Sequence, residues 1–181
     1  VCTGKVKVYK SSRTGQQLTT RVESPGDLLG HVTLLADEGA YTGTGEALDA
    51  SIVSMIDKNT FYNFLAKYPP ASHALLKELA KDVRRGENKA RDIAFKPARG
   101  RLADTLIRMM VLKKPYPVVA GIKRRDLAEM AGLTIETTVR LLKDFEERAV
   151  LRKKEKDLLI LSEERLRELD FDARLSDTLT L

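Results

Sequence analysis

Cysteine and histidine are scarce in this sequence, and several kinds of functional site are excluded as a result. Cys2 is the single cysteine, so the chain can form no internal disulfide and no all-cysteine metal or iron–sulfur site. His31 and His73 are the two histidines, and no Gly-rich phosphate loop, His-x-x-x-His pair or nucleophile elbow accompanies them. We therefore expect a protein that is not an enzyme and that carries no cofactor and no metal.

Long apolar runs are missing as well. No stretch approaches the roughly 20 apolar residues of a membrane-spanning helix, and no signal-peptide pattern opens the chain. A single cysteine suits a reducing compartment, so we expect a cytoplasmic protein that has no contact with a membrane. With 43% hydrophobic residues among 181, the chain can still bury a core in one large domain or in two small ones.

Basic residues are absent from one region and concentrated in another, within a formal net charge of +6. Residues 31–57 contain no Lys or Arg, whereas residues 113–156 contain twelve basic and seven acidic residues, a net charge of +5. An excess of this kind favours contact with the phosphate backbone of a nucleic acid. The C-terminal part of the chain is therefore the part expected to bind a polyanion.

Alternating apolar and polar residues predict antiparallel β structure in the first 70 residues. Gly4–Lys10 and Gln17–Val22 alternate in this way and are separated by a polar turn, which is typical of a hairpin. Ile52–Ile56 is rich in β-branched residues and predicts a further strand. We expect short strands and turns up to about Asp57, in a β-roll domain that covers residues 1–70.

Residues 71–96 are predicted to form one long helix. Apolar and small residues recur every three or four positions along it, as in the seam of a helix that packs along another helix: Leu76, Leu79, Val83, Gly86, Ala90 and Ile93. Dimerisation through this seam is one interpretation, and packing of the helix on its own β-domain is the alternative. Pro97 should end the helix near Phe95 and leave a hinge before the next helix.

Residues 122–142 have the pattern of a helix, a tight turn and a second helix. Gly132 can adopt the left-handed conformation that ends the first helix, and Thr134 supplies an N-cap hydroxyl for the second. The spacing predicts a buried face on the second helix that consists of Thr138, Leu141, Leu142 and Phe145. It leaves Glu136, Val139, Arg140 and Lys143 on the outer face.

The outer face of this second helix is our candidate for reading base edges in a major groove. Arg140 can donate two hydrogen bonds to guanine, and Glu136 can accept one from cytosine. The predicted base-reading residues are Ile135, Glu136, Val139 and Arg140, and the predicted phosphate contacts are Thr134, Thr137, Lys143, Lys153 and Lys154. The alternative interpretation is an ordinary surface ion pair between Glu136 and Arg140, four residues apart on a helix that touches nothing.

A β-hairpin and a closing helix are predicted after the second helix. Val150-Leu151 and Leu158–Leu161 flank the charged residues 152–157, which suggests a wing whose lysines reach phosphates. Ser162 precedes two glutamates and is a good helix start, so a helix is expected up to about Leu169. Residues 97–181 are therefore predicted to form a winged helix-turn-helix domain.

The order of these elements resembles the CRP/FNR family of bacterial transcription regulators over nearly the whole chain. The most specific segments are Pro25-Gly26-Asp27-Leu28-Leu29-Gly30 and residues 126–142. The resemblance implies an α+β fold with an antiparallel, jelly-roll-like β-roll sensor domain, a long dimerisation helix and a C-terminal winged helix-turn-helix. It also implies a homodimer that binds a palindromic operator, base reading by Glu136 and Arg140, and RNA polymerase as a partner. Ile135 is more similar to the FNR branch than to the CRP branch.

The sequence departs from the family pattern in three places. The family β-roll begins well before the match to Val1, so we expect the β-roll to be incomplete at its N-terminal side. Lys123 stands where a helix-capping Thr or Ser is usual. Tyr41-Thr42 stands where members that bind cyclic nucleotides have an arginine followed by Ser or Thr, so binding of cyclic AMP in the usual way is not expected.

The resemblance places the effector pocket at Gly26, Asp27, Leu29, Gly30, Tyr41 and Thr42. Because no basic side chain occurs between Val32 and Asp57, this pocket is predicted to be neutral to acidic. A regulator that responds to a cyclic nucleotide, or to haem through His31, stays open as an alternative. A protein-interaction module that does not bind DNA is the alternative from another functional class.

Overall fold

The structure is a computed structural model that describes residues 1–37 and 39–171. It divides into two compact units, Val1–Ala90 and Arg91–Leu181. Glu38 and residues 172–181, the last ten of the predicted 97–181 domain, lie outside the described residues. Within the described residues, no helix is both long enough and apolar enough to cross a bilayer.

The first unit contains a three-stranded antiparallel sheet. Its strands are β1 (Val6–Ser11), β2 (Gln17–Glu23) and β3 (Thr44–Ala47), in the order β2-β1-β3. Val6 pairs with Glu23 at one end of the hairpin and Ser11 with Gln17 at the other. The predicted hairpin is confirmed, because both alternating segments form strands and the polar residues between them form the turn.

The strand predicted at Ile52–Ile56 was wrong. Ile52 forms only an isolated bridge with Thr3, and the residues after it have no regular structure. β-branched residues favour extended backbone, but a strand also needs a neighbouring strand to pair with. β1 takes its second partner from β3 instead, whose Thr-Gly-Glu-Ala sequence has no apolar alternation.

The first unit also contains two helices that the sequence interpretation missed. They are α1 (His31–Leu35) and α2 (Lys58–Lys67). The Asp57 carboxylate caps α2 by accepting a hydrogen bond from the backbone N–H of Thr60, at 2.9 Å. The expectation of strands and turns alone up to Asp57 was therefore wrong at α1, and residues 58–67 of the predicted 1–70 domain are helical.

The long helix α3 spans Pro69–Phe95. It ends at the residue predicted from Pro97, which serves as the N-cap of the next helix. Leu75 is the one buried side chain among its 27 residues, so nearly the whole length of α3 is exposed on this single chain.

The second unit has the predicted winged helix-turn-helix elements. They are α4 (Ala98–Met109), β4 (Val118–Val119), α5 (Arg124–Ala131), α6 (Ile135–Glu147), β5 (Leu151–Lys154), β6 (Asp157–Ile160) and α7 (Glu163–Phe171). The helix-turn-helix is α5 and α6, the wing is β5 and β6, and α7 is the closing helix. β4, which the sequence interpretation missed, adds a third strand in the order β4-β6-β5.

An apolar core holds these elements together. Every helix of the second unit and every strand of its sheet contributes to it, with Leu102, Leu106, Val119, Leu127, Leu142, Phe145, Leu151, Leu158, Ile160 and Leu166 each at most 1% exposed. Each fully buried side chain of this size stabilises a fold by about 1.5–3 kcal/mol relative to exposure. The orientation of α6 is therefore set by the core rather than by its surface charges.

Candidate nucleic-acid interface

The turn between α5 and α6 is built by local backbone requirements. Gly132 ends α5 with φ 64°, in the left-handed region that glycine enters without steric cost, and Leu133 donates its N–H to the carbonyl of Ala128. Thr134 starts α6, because its hydroxyl oxygen accepts the N–H of Thr137 at 3.2 Å. Both predicted caps are confirmed. Lys123 provides no side-chain cap at the start of α5, as its residue type predicted.

The inner face of α6 is fixed in the core. Thr138, Leu142 and Phe145 are fully buried, and Leu141 is partly buried. The Thr138 hydroxyl donates to the carbonyl of Thr134 at 2.9 Å, so the one polar group of this face has its partner. The predicted buried face is therefore confirmed, and the opposite face must point outwards.

The outer face of α6 exposes a carboxylate, a guanidinium and two apolar side chains next to one another. Glu136 and Arg140 are exposed, and Ile135 and Val139 are 45% and 46% exposed. Neither Glu136 nor Arg140 has an ion-pair or hydrogen-bonding partner for its side chain among the described residues. The two do not pair with each other, so the alternative of a surface ion pair is not the arrangement found.

The predicted phosphate contacts differ in their surroundings. Thr134, Lys143, Lys153 and Lys154 are exposed and Thr137 is partly buried. Lys143 lies 3.7 Å from the carboxylate of Glu147, and Lys153 lies 3.2 Å from that of Glu146. Lys154, together with Arg152 and Lys156 beside it, has no ion-pair partner within the described part of the chain. The wing thus has unpaired positive charge at Arg152, Lys154 and Lys156, whereas Lys153 is paired with Glu146.

Arg101 on α4 is an organising residue that sequence reasoning missed. Its guanidinium donates hydrogen bonds to the carbonyls of Ile93 (3.2 Å), Lys96 (2.9 Å), Ala131 (3.1 Å) and Gly132 (3.3 Å). These carbonyls lie where α3 and α5 end, and the last carbonyls of a helix have no partner within it. One side chain therefore joins the end of the long helix to the turn before α6.

The predicted dimer seam lies uncovered on α3. Leu76, Val83 and Ile93 are 63%, 61% and 39% exposed, and Gly86 and Ala90 are not buried either. A Cβ added to Gly86 would have no other atom within 4 Å. Leu79 is partly buried. Gly86 also lines a cavity in the first unit, together with Leu79 and Val83.

A cavity of about 930 Å³ in the first unit contains most of the predicted effector residues. Asp27, Leu29, Gly30, Tyr41 and Thr42 line it, whereas Gly26 does not. The pocket was expected to be neutral to acidic because residues 32–57 contain no basic side chain, but its lining also includes Lys10, Arg21 and Arg85. Those residues come from β1, β2 and α3, which lie outside the segment on which the expectation was based.

The arginines of this cavity are already engaged with an acid. Arg21 and Arg85 both pair with Asp82, and the Nε2 atom of His31 lies 3.0 Å from the same carboxylate. Burial alone would raise the pKa of Asp82, but the hydrogen bond from Arg85 and the charges of Arg21 and Arg85 outweigh it and hold the pKa below its usual value. Asp82 is therefore ionised at neutral pH and neutralises much of the arginine charge.

Comparison with known proteins gives matches to both units. The family model for the cyclic nucleotide-binding domain matches residues 1–68, and that for the Crp-like helix-turn-helix domain matches residues 100–169. The chain is 30% identical to the probable transcriptional regulator Flp of Lacticaseibacillus casei, over 91% of this chain and 74% of that protein. It is 28% identical to the cyclic AMP receptor protein of Thermus thermophilus, over 84% of this chain and 69% of that protein.

A solved structure matches the fold. A CRP/FNR-family transcriptional regulator from Thermus thermophilus has a TM-score of 0.78 to this chain and covers 94% of it, and this chain covers 86% of that structure. At 19% identity, this likeness concerns the fold alone. The predicted α+β architecture is confirmed by it.

Proposed function

Since this chain belongs to the CRP/FNR family of DNA-binding transcription regulators, we propose that two copies bind a palindromic operator, each reading one half-site with α6. In helix-turn-helix dimers the two recognition helices enter successive major grooves about 34 Å apart. The two-fold symmetry of such a dimer requires a palindromic site.

The outer face of α6 is the observation that carries this proposal. Glu136 and Arg140 are exposed, are not paired with each other, and stand beside the apolar Ile135 and Val139. An unpaired guanidinium can donate two hydrogen bonds to guanine O6 and N7, and an unpaired carboxylate can accept from cytosine N4. Ile135 and Val139 can contact a thymine methyl group. Thr134, Thr137, Lys143 and Lys154 are the proposed phosphate contacts around them.

The α3 seam is the proposed dimer contact. Its exposed apolar residues, Leu76, Val83 and Ile93, are spaced like those of a coiled coil, and such a row is costly to leave in water. Gly86 and Ala90 would let the two helices approach closely. We also propose RNA polymerase as the protein partner, because the relatives of this chain are named as transcription regulators.

The test of base reading compares three variants on two DNAs. An operator is first selected from a library of random duplexes with the wild-type protein. We expect Arg140→Ala to lose about 1–3 kcal/mol on this operator and little on random duplex, because it removes a base contact. Lys154→Ala should weaken binding to both alike, and Arg13→Ala, an exposed change of equal charge in the first unit, should alter neither. Equal losses on both DNAs for Arg140→Ala would contradict the proposal.

Salt dependence separates DNA binding from the protein-interaction alternative. A protein that neutralises phosphates releases counterions, so its log affinity falls linearly with log salt concentration. We expect a steep slope with duplex DNA. A flat slope would favour the interaction module.

We propose that cyclic AMP is not the ligand that activates this protein. The Tyr41 ring lies close against Gly30, since a Cβ on Gly30 would come within 2.6 Å of Tyr41 Cε1. A phosphate entering the cavity would have to compete with Asp82 for Arg21 and Arg85. We expect the same operator affinity with and without saturating cyclic AMP, with the cyclic AMP receptor protein of Thermus thermophilus as the positive control. A gain in affinity would contradict this.

A further inference from the structure

Glu146 joins the last turn of α6 to the wing through two bonds. Its Oε1 atom accepts the backbone N–H of Lys153 at 3.0 Å, and its Oε2 atom lies 3.2 Å from the ammonium of the same lysine. Both side chains are about one-third exposed, at 36% and 37%. One carboxylate thus holds both the main chain and the side chain of a wing residue.

The backbone bond has a structural reason. β5 is an edge strand, because the sheet order is β4-β6-β5, so its outward N–H groups have no strand to pair with. Glu146 satisfies the N–H at Lys153, in the middle of the β5–β6 hairpin. Lys154 follows directly, and the unpaired Arg152 and Lys156 lie in the same hairpin, so the bond ties the backbone beside these cations to α6.

We infer that Glu146 is a positioning residue for DNA binding, which fixes the wing against the recognition helix and keeps Lys153 as a structural partner while Lys154 contacts phosphate. This inference rests on the proposed function. It revises the expectation that Lys153 itself reaches a phosphate.

The sign of the charge makes the inference testable. A carboxylate next to DNA repels phosphates, so a purely electrostatic role would mean that its removal tightens binding. The backbone and side-chain hydrogen bonds from Lys153 lower the pKa of Glu146, so this repelling charge is present at neutral pH. A positioning role predicts the opposite outcome, weaker binding when the carboxylate is truncated.

The experiment compares Glu146→Ala with Glu146→Gln on the selected operator, across a series of salt concentrations. Glu146→Ala loses both bonds, and we expect operator affinity to fall by about 5- to 30-fold. Glu146→Gln keeps an oxygen for the Lys153 N–H but releases the ammonium. Its operator affinity should stay within about 3-fold, and its salt slope should steepen by about 0.9 as Lys153 becomes free to meet a phosphate.

The neighbouring Glu147 gives the matched control. It is exposed and pairs with Lys143 at 3.7 Å, but it has no bond to the wing. Glu147→Ala removes the same charge, so tighter binding is expected from it. If Glu146→Ala tightens binding as Glu147→Ala does, the positioning role is overturned. The lysines give a second check: Lys154→Ala should lower the salt slope by about 0.9, and Lys153→Ala should leave it unchanged.

Backbone hydrogen exchange separates positioning from general destabilisation. We expect faster exchange in residues 151–154 of Glu146→Ala, unchanged exchange there in Glu146→Gln, and unchanged exchange in the α4–α6 core of both. Faster exchange throughout the second unit of Glu146→Ala would overturn the inference. Failure of the proposed function would look different, because the wild-type protein would then select no operator.

Discussion

Among the described residues, the buried side chains of the second unit are mostly apolar, with Asp126 and Glu129 among the exceptions, whereas those of the first unit are mostly polar or charged. Leu142, Phe145 and Leu158 are fully buried in the second unit. In the first, Lys7 is fully buried and Glu23 is 2% exposed. Apolar packing holds a surface in one geometry, which the proposed reading of base edges by α6 requires. Buried charges are sensitive to their partners and to pH.

The largest effect is expected from breaking the apolar side of this comparison. Leu142→Ala leaves a cavity beneath α6 and should destabilise the second unit by about 2–5 kcal/mol. Hydrogen exchange should rise across α4–α6 while the first unit is unchanged. Val139→Ala, on the exposed face of the same helix, should change stability by at most about 0.5 kcal/mol. If hydrogen exchange in the first unit of Leu142→Ala rises equally, the stabilities of the two units are coupled.

A smaller effect is expected from breaking the ionic side. Asp82→Asn leaves Arg21, Arg85 and His31 without their shared carboxylate and should destabilise the first unit by about 1–3 kcal/mol at neutral pH. Because the folded pKa of Asp82 is depressed, wild-type stability from this group is present at neutral pH and is lost as the pH falls below 3.8 through that lower pKa.

Acid titration monitored by hydrogen exchange measures this loss, which the Asn variant should lack. Asp37→Asn, which breaks the exposed pair with Lys58, is the control and should change little. If hydrogen exchange in the first unit of Asp82→Asn still rises as the pH falls, a group other than Asp82 causes the loss of stability.

The smallest effect concerns Glu23. Its pH dependence of stability has the opposite sign to that of Asp82. Burial raises the pKa of Glu23 above 4.5, against the opposing charge of Arg21, so the folded state holds this proton more tightly than the unfolded state does. The stability of the first unit should therefore decrease as the pH rises from 4.5 through the raised pKa. Glu23→Gln should remove this part of the pH dependence. If the pH dependence of stability is the same in Glu23→Gln as in the wild type, burial of the Glu23 carboxylate does not destabilise the folded state.

The helix-turn-helix was predictable because its signals are local. Gly132 and Thr134 fix the turn by their own backbone and side-chain chemistry, and the 3.6-residue period of Thr138, Leu142 and Phe145 identifies the inner face without knowledge of any other element. The exposure of Glu136 and Arg140 follows from the same period.

Several of the misses share a different cause, since they depend on contacts between different elements of the structure. β3 is a strand because β1 lies beside it, and Ile52–Ile56 is not one because no strand does. Arg21 and Arg85 reach the cavity from β2 and α3, which no local window contains. The engagement of Lys153 depends on Glu146, seven residues earlier in another type of element.

The four hydrogen bonds of Arg101 limit which side chain could replace it. A guanidinium is planar and has five donors in a fixed fork, whereas a lysine ammonium has three donors on a flexible stem and could not reach two separate helix ends at once. Any twist at the end of α3 changes the distances to one pair of carbonyls and so pulls on the other pair. The end of the long helix and the turn before α6 are therefore cross-linked by a single side chain, and Arg101→Lys should loosen that cross-link.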